Sequence, residues 1–168
     1  MQKQDNLVKE VITLEQARER LQAIISLPVS KVFNSGGTAI SLDLGRLHKK
    51  GAIGMHGPYV TTVGEWTIDN HAHWQLQHDG KTLFDSHGIE ALKDDDRVEF
   101  ILGKLELLLD VKIASFDFDK DSLTITLDKG YMLRFFKGEY GIAGISYNYF
   151  PAVVFEGDGI INVEQIMR

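Results

Sequence analysis

Six histidines are the residues best suited to chemistry, and all of them lie between positions 48 and 87 of a 168-residue chain. Two of them, His71 and His73, are two residues apart in a segment that alternates apolar and polar side chains. That alternation predicts a β-strand, so both imidazoles project from one face. Two imidazoles on one face can share a metal ion. The spacing therefore predicts a divalent-metal site on this strand.

Further groups on the same segment extend this hypothesis. Asp69 shares the face of His71 and His73, as a third ligand or as an acceptor that fixes an imidazole tautomer. His87 and Asp85 follow the next predicted turn and are expected to approach the pair. The competing interpretation is that both histidines are polar residues on the solvent side of a half-buried sheet. Our leading expectation is therefore no cofactor, with the divalent metal as the alternative.

Aspartates make the second part of the chain acidic. They form two groups: Asp94, Asp95 and Asp96, and Asp117, Asp119 and Asp121. The chain has a net charge of −6, with +3 on residues 1–50 and −9 on residues 51–168. An acidic surface attracts basic partners and repels nucleic acid, so we expect a basic protein partner and no nucleic acid. The alternative is that these aspartates serve only in helix termini and turns.

Aromatic residues near the C-terminus suggest a second contact surface. Tyr147 and Tyr149 alternate beside Phe150 and Pro151, so a strand would present both tyrosines on one face. Tyrosine is enriched in protein interfaces, and we expect this pair to contribute to protein binding. The alternative is that these aromatic side chains fill the core.

Several classes of protein are excluded by what the sequence lacks. There is no cysteine, hence no disulfide, no iron–sulfur cluster and no thiol nucleophile. No P-loop, nucleophile elbow, HExxH or dinucleotide-binding motif occurs. No apolar segment reaches the roughly 20 residues of a membrane helix, and no signal peptide follows Met1. We therefore expect a cytoplasmic protein that does not enter a membrane.

The elements that must position these residues predict an α+β fold, with two helices packed on antiparallel sheet. Thr13 and Gln16 form a capping box that begins a helix over 14–27. Asp94–Asp96 offer N-caps and negative charge at the start of a helix over 95–105. For residues 46–64 we expect a loop or a weakly regular edge strand, in which 59–63 are extended. The predicted strands are 29–35, 38–44, 65–77, 81–85, 108–118, 123–127, 131–136, 145–155 and 160–164. We expect one domain over 1–168.

The order of elements recurs along the chain. The predicted helix starts, near 14 and 95, are about 80 residues apart. The same spacing separates glycine turns, such as Gly45 from Gly130 and Gly80 from Gly159. This predicts a duplicated helix-plus-β-meander unit, with pseudo-repeats 13–90 and 94–168 sharing one core. The alternative is that any series of short hairpins produces glycine turns at such spacing.

Three short motifs carry a family resemblance. They are Gly64-Glu65-Trp66, Trp74 followed by the Asp79-Gly80 turn, and Phe155-x-Gly157-Asp158-Gly159. This pattern resembles small uncharacterised bacterial α+β proteins, some of which act as immunity or accessory partners of toxins. The resemblance implies a class of binding protein and carries no catalytic residues.

Together these features predict a non-enzymatic bacterial binding protein, with an immunity-type role toward a basic toxin domain as one form of it. The alternative is a metal-dependent or small-ligand-binding enzyme that uses His71 and His73. A third hypothesis is a homodimer with a structural role.

Overall fold

The structure is a computed structural model that describes residues 13–70, 72–139, 141–148, 154–156 and 159–161. The described helices are α1 (Leu14–Gln22) and α2 (Asp94–Leu105), with short 3-10 helices at Ser86–Ile89, Glu106–Leu108 and Asp128–Gly130. The strands are β1 (Val29–Gly36), β2 (Ala39–Leu44), β3 (His48–Gly54), β4 (Gly57–Val63), β5 (Trp66–Asn70), β6 (Trp74–His78), β7 (Lys81–Asp85), β8 (Ile113–Phe118), β9 (Ser122–Leu127), β10 (Tyr131–Phe136), β11 (Ala143–Tyr147), β12 (Val154–Glu156) and β13 (Gly159–Ile161).

The strands form two larger antiparallel sheets and two separate hairpins. Sheet A has the strand order β1-β2-β5-β11, and sheet B has the order β7-β6-β10-β9-β8. The hairpins are β3–β4 and β12–β13. The predicted α+β class, two helices with antiparallel sheet, is confirmed. Neither described α-helix is long and apolar enough to cross a membrane.

Each large sheet combines three strands that pair in sequence order with strands from elsewhere in the chain: β11 in sheet A, and β6 and β7 in sheet B. Strands β1, β2 and β5 form the meander of sheet A, and β8, β9 and β10 that of sheet B. Strand β6 follows β5 but pairs with β10, whereas β11 follows β10 but pairs with β5. Each sheet therefore contains the strand that follows the other sheet's first three strands in the sequence.

The strand registers of the two sheets match. In sheet A the pairs include Val29–Leu44, Val32–Leu42, Leu42–Ile68 and Ile68–Ile145. Their counterparts in sheet B are Ile113–Leu127, Phe116–Ile125, Ile125–Leu133 and Leu133–Leu76. In both first hairpins a register irregularity follows the first pair. Both sheets therefore direct equivalent positions toward the core.

A short antiparallel seam joins the starts of the two meanders. Pro28 and Lys112 form an isolated bridge at its centre. Gly45 N–H donates to Pro28 O, and Asp128 N–H donates to Lys112 O, both at 2.9 Å. Val29 N–H donates to Val111 O and Ile113 N–H donates to Leu27 O, both at 2.9 Å, and these bonds link sheet A to sheet B.

One hydrophobic core lies between these layers. Its members come from both sheets and both helical segments, and the fully buried ones include Ile24, Ile40, Leu42, Ile68, Trp74, Leu76, Ile101, Leu105, Leu133 and Phe135. Trp74 Nε1–H also donates to Thr38 O at 2.7 Å, so the largest core side chain keeps its polar atom satisfied. Both large sheets therefore contribute side chains to the same core.

The predicted strand over 65–77 is wrong as a single element. Strand β5 ends at Asn70 and β6 begins at Trp74, and the two belong to different sheets. Asn70 is buried, and its Nδ2 donates to His73 O at 3.2 Å across the change of direction. Alternation reports which face a residue occupies, and it does not report which sheet the strand joins.

Several other boundaries differ from the sequence prediction. The strand predicted over 108–118 begins at Ile113, because residues 106–108 form a 3-10 helix. Helix α1 ends at Gln22, because Ser26 adopts a φ of 72° and its N–H donates to Ile113 O in the seam. Residues 46–64 include the regular hairpin β3–β4. Helix α2 begins at Asp94 with Lys93 at its N-cap, so the aspartates occupy the first turn.

Candidate functional site

The first aspartate group lies at the start of α2. Asp94, Asp95 and Asp96 are all exposed in the first helical turn, where the helix dipole favours negative charge. Arg97 Nη1 pairs with Asp94 Oδ1 at 3.2 Å. The local sequence thus presents three carboxylates to solvent at one helix end.

An exposed aromatic ring lies on the same helix. Phe100 is 37% exposed and meets the Phe84 ring of β7 edge-on, with centroids 6.1 Å apart. Lys104 Nζ lies 4.9 Å from the Phe84 ring centroid and 5.3 Å from that of Phe100. An open depression of about 340 Å³ is lined by Asp96, Glu99, Phe100, Gly103 and Lys104.

We call Asp94, Asp95, Asp96, Glu99 and Phe100 the acidic α2 face. All five residues are exposed, and they combine negative charge with an apolar ring beside a depression. That combination suits a partner with basic and apolar side chains.

The second aspartate group lies at the β8–β9 turn and helps to form it. Asp119 Oδ1 accepts the N–H groups of Asp121 and Ser122 at 2.7 and 2.9 Å. Those backbone hydrogen bonds lower the pKa of the Asp119 carboxyl. Asp117 and Asp121 are exposed beside it.

The two aspartate groups follow opposite edges of sheet B. Strand β8 carries the second group on one edge, and β7 on the other edge leads toward α2. The edges of sheet B are four inter-strand spacings apart, about 19 Å. The two groups lie on separate elements, the start of α2 and the β8–β9 hairpin.

Tyr147 lies at the end of β11 in sheet A. Its ring is 4.8 Å from that of Trp66, and the residue is 38% exposed. Tyr149 lies outside the described residues, so the predicted aromatic face of two tyrosines stays a prediction. Sheet B has the equivalent contact, with the His78 and Tyr131 rings 4.4 Å apart.

The structure brings His73 together with His87 and Glu90. The two imidazole rings stack with centroids 3.6 Å apart. The ligand atoms of these three side chains all lie within 4.8 Å of one another. His87 was expected from the sequence to approach, whereas Glu90 was missed.

The other members of the predicted metal set are placed differently. Asp69, on β5 of sheet A, accepts a hydrogen bond from the Ser41 hydroxyl. His71 lies outside the described residues. The set of His71, His73 and Asp69 therefore stays a prediction, with His73 in a different cluster.

The remaining described histidines make separate contacts. His48 Nε2 donates to Asn148 O at 2.8 Å, and His78 Nε2 donates to Lys129 O at 3.0 Å. His56 is exposed near the turn of the β3–β4 hairpin. Closeness in sequence thus produces one contact between imidazoles among the described residues, that of His73 with His87.

Sequence reasoning also missed a buried polar network on the outer face of sheet A. Asp43 is 1% exposed, and its Oδ1 accepts from Thr67 Oγ1 at 2.6 Å. Thr67 Oγ1 accepts from Asn148 Nδ2 at 2.6 Å. Burial raises the pKa of the Asp43 carboxyl, although the Thr67 hydrogen bond opposes this. The alternating polar residues of β2 and β5 were the available signal.

Comparisons of the chain with protein-family models, with curated proteins and with solved structures gave no match.

Proposed function

We propose that this chain is a non-enzymatic binding protein of the bacterial cytoplasm that uses the acidic α2 face to hold a basic protein partner. A toxin domain with a basic surface is the kind of partner proposed, which corresponds to an immunity-type role. The observation that carries this proposal is the cluster of exposed carboxylates beside the exposed Phe100 ring.

Electrostatics supports the choice of a basic partner. Asp94, Asp95, Asp96 and Glu99 lie within two turns of one helix, on a chain whose net charge is −6. Such a field accelerates encounters with a positive surface and repels negative ones. The carboxylates therefore act mainly on the association rate.

The aromatic ring supplies a different contribution. Phe100 lies at the depression lined by Asp96 and Lys104, so a partner side chain can bury its ring. Buried aromatic anchors contribute much of the binding energy in protein interfaces. Phe100 therefore acts mainly on the dissociation rate.

The test compares wild-type protein with the variant Asp95→Asn/Asp96→Asn. Asp94 is left in place, because it pairs with Arg97. Proteins captured by the wild type from producing cells are identified, purified and measured by surface plasmon resonance. We expect the variant to lower the association rate about tenfold at low salt, and much less at about 0.5 M salt, where charge is screened.

The matched control is Asp117→Asn/Asp121→Asn, which removes the same charge from the β8–β9 turn. The control should reduce the rate less than Asp95→Asn/Asp96→Asn does. Phe100→Ala should instead raise the dissociation rate. Equal rates for wild type and Asp95→Asn/Asp96→Asn, or no salt dependence, would exclude the acidic α2 face as the binding surface.

We also infer that the fold is a duplicated helix-plus-β-meander unit whose halves, 13–90 and 94–168, exchange strands β6 and β11. The matching registers of sheets A and B support this inference. So do the paired seam bonds, in which Gly45 is equivalent to Asp128 and not to Gly130. Matching registers are stronger support for a duplication than matching glycine turns. A register shift of one residue in either sheet would turn every side chain of that strand to the other face.

The alternative function is a metal-dependent or small-ligand-binding enzyme that uses His71 and His73. The contact of His73 with His87 supports it. Its first requirement is a bound metal. A homodimer with a structural role remains the third hypothesis, and sedimentation of the purified protein tests it.

A further inference from the structure

We infer that His73, His87 and Glu90 bind one divalent transition-metal ion, with Zn²⁺ as the best-matched metal. This inference goes beyond the proposed protein binding and does not depend on it. It differs from the set predicted by sequence spacing, with which it shares only His73.

The separations between the ligand atoms suit a small ion. His73 Nδ1 lies 3.6 Å from Glu90 Oε1, and His87 Nδ1 lies 3.8 Å from the same oxygen. Tetrahedral zinc with bonds of about 2.0–2.1 Å needs ligand atoms roughly 3.3 Å apart. The two imidazole–carboxylate separations exceed this value by about half an ångström at most. Because the two rings are stacked, binding one ion also requires them to rotate until their lone pairs converge.

The backbone explains why these three residues meet. Strands β6 and β7 pair Gln75 with Asp85, and continuing that register brings His73 opposite His87. His87 and Glu90 are three residues apart at the 3-10 helix Ser86–Ile89, where such side chains eclipse. Asp85 Oδ1 accepts His87 N–H at 2.8 Å and caps that helix.

Buried groups hold the cluster from behind. Ser86 is fully buried, and its Oγ accepts Trp74 N–H at 3.0 Å while lying 3.2 Å from His73 Nδ1. Arg97 Nη2 donates to Glu90 O at 3.2 Å and to Leu92 O at 2.7 Å. The Arg97 bonds fix the backbone at Glu90. The Ser86 hydroxyl approaches the same His73 nitrogen that faces Glu90, so a metal ion bound at Nδ1 replaces this contact.

The chemistry of the three groups selects the metal. Two imidazoles and one carboxylate are ligands that zinc accepts, and they lack the all-oxygen set that calcium and magnesium prefer. The side chains of His73, Glu90 and His87 are 40%, 52% and 62% exposed, so water can reach the remaining coordination position.

A serine–histidine–carboxylate relay is a poor alternative use of the same residues. Such a relay needs the hydroxyl and the carboxylate on opposite nitrogens of one imidazole. Ser86 Oγ and Glu90 Oε1 both approach the same nitrogen, Nδ1 of His73. The arrangement therefore does not fit a serine–histidine–carboxylate relay.

Calorimetric titration of untagged, EDTA-treated full-length protein with Zn²⁺ tests the inference. We expect one ion per chain. His87→Ala and Glu90→Gln should each weaken binding at least about tenfold, because each removes a ligand. The matched control is His78→Ala, which removes an imidazole from β6, the strand that begins directly after His73. This variant should bind Zn²⁺ like wild type.

A second pair of variants separates this site from the sequence-predicted one. Asp69→Asn should keep wild-type affinity, whereas Glu90→Gln should lose it. The affinity for Co²⁺, measured by the visible absorption of the bound ion, should likewise be kept in Asp69→Asn and lost in Glu90→Gln. His87→Ala and Glu90→Gln should unfold like wild type in EDTA, because both side chains are exposed.

Three outcomes would overturn the inference. One is wild-type protein that takes up no Zn²⁺ at about 100 µM. Another is unchanged affinity in both His87→Ala and Glu90→Gln. The third is loss of binding in Asp69→Asn with retention in Glu90→Gln, which would assign the metal to the set with His71.

Discussion

At the residue scale, Asp43 shows how burial changes one carboxyl group. It lies on the outer face of sheet A at 1% exposure, and its Oδ2 has no hydrogen-bond partner among the described residues. Lys31 is the nearby charge that favours ionisation, and Asp69 is the one that opposes it. Desolvation outweighs the favourable contacts, so the native pKa of Asp43 is raised.

This raised pKa predicts a pH effect on stability. The native state binds the Asp43 proton more tightly than the unfolded state, whose aspartates have a pKa of about 3.9. This group therefore lowers the free energy of unfolding as pH rises from about 4 through the native pKa. Asp43→Asn removes that loss.

Urea unfolding of wild type and Asp43→Asn at pH 4 and pH 7 measures it. The free energy of unfolding of the variant, relative to wild type, should be more favourable at pH 7 than at pH 4. Asp121→Asn, an exposed aspartate, is the control and should show no such change. A difference that shrinks toward pH 7 would contradict the burial of a charged carboxylate.

At the element scale, two glycines show opposite constraints. A Cβ on Gly64 would lie 2.5 Å from Leu44 O and 2.7 Å from Leu44 N, so the link between β4 and β5 requires glycine beside the end of β2. A Cβ on Gly103 meets nothing within 4 Å on the exposed side of α2. Close packing, and not backbone angle, explains Gly64.

Alanine at each position tests this contrast. Gly64→Ala should lower the free energy of unfolding by about 1–3 kcal/mol, since the backbone of β2 must shift. Gly103→Ala should raise it by up to about 1 kcal/mol through helix propensity. Denaturant unfolding compares the two, and similar effects at both positions would refute the packing explanation.

At the scale of the whole molecule, the exchange of β6 and β11 makes each half depend on the other. Strand β6 completes sheet B, and β11 completes sheet A. A half without its partner leaves β5 or β10 with an unpaired edge and exposes core residues such as Leu76. The two halves should therefore fold only together.

Fragments 1–90 and 91–168 test this dependence. Each fragment alone should lack a cooperative unfolding transition, because its meander cannot bury both its strand edge and its apolar face. An equimolar mixture should recover the circular dichroism spectrum of the intact chain. It should also recover the tryptophan emission spectrum of the intact chain, in which Trp74 is buried. Cooperative unfolding of either fragment alone would show that the exchange is not needed for stability.

Local features of the fold were determined by the sequence. The Thr13–Gln16 capping box begins α1 as predicted, and Asp79-Gly80, both at positive φ, form the two-residue turn between β6 and β7. Helix α2 was predicted within one residue at its start. These signals depend on interactions across a few residues, and such interactions are the same in any tertiary context.

Tertiary structure decided which strands pair and which side chains meet. The segment from Trp66 to His78 divides between two sheets, which separates Asp69 from His73 and brings Glu90 to His73 in its place. Period-two alternation determines the face of a residue, but the partner of a strand is chosen by long-range burial and backbone pairing. The sequence alone therefore indicated that histidines and acidic groups were present, and only the packing of the two sheets selected the ones that form a site.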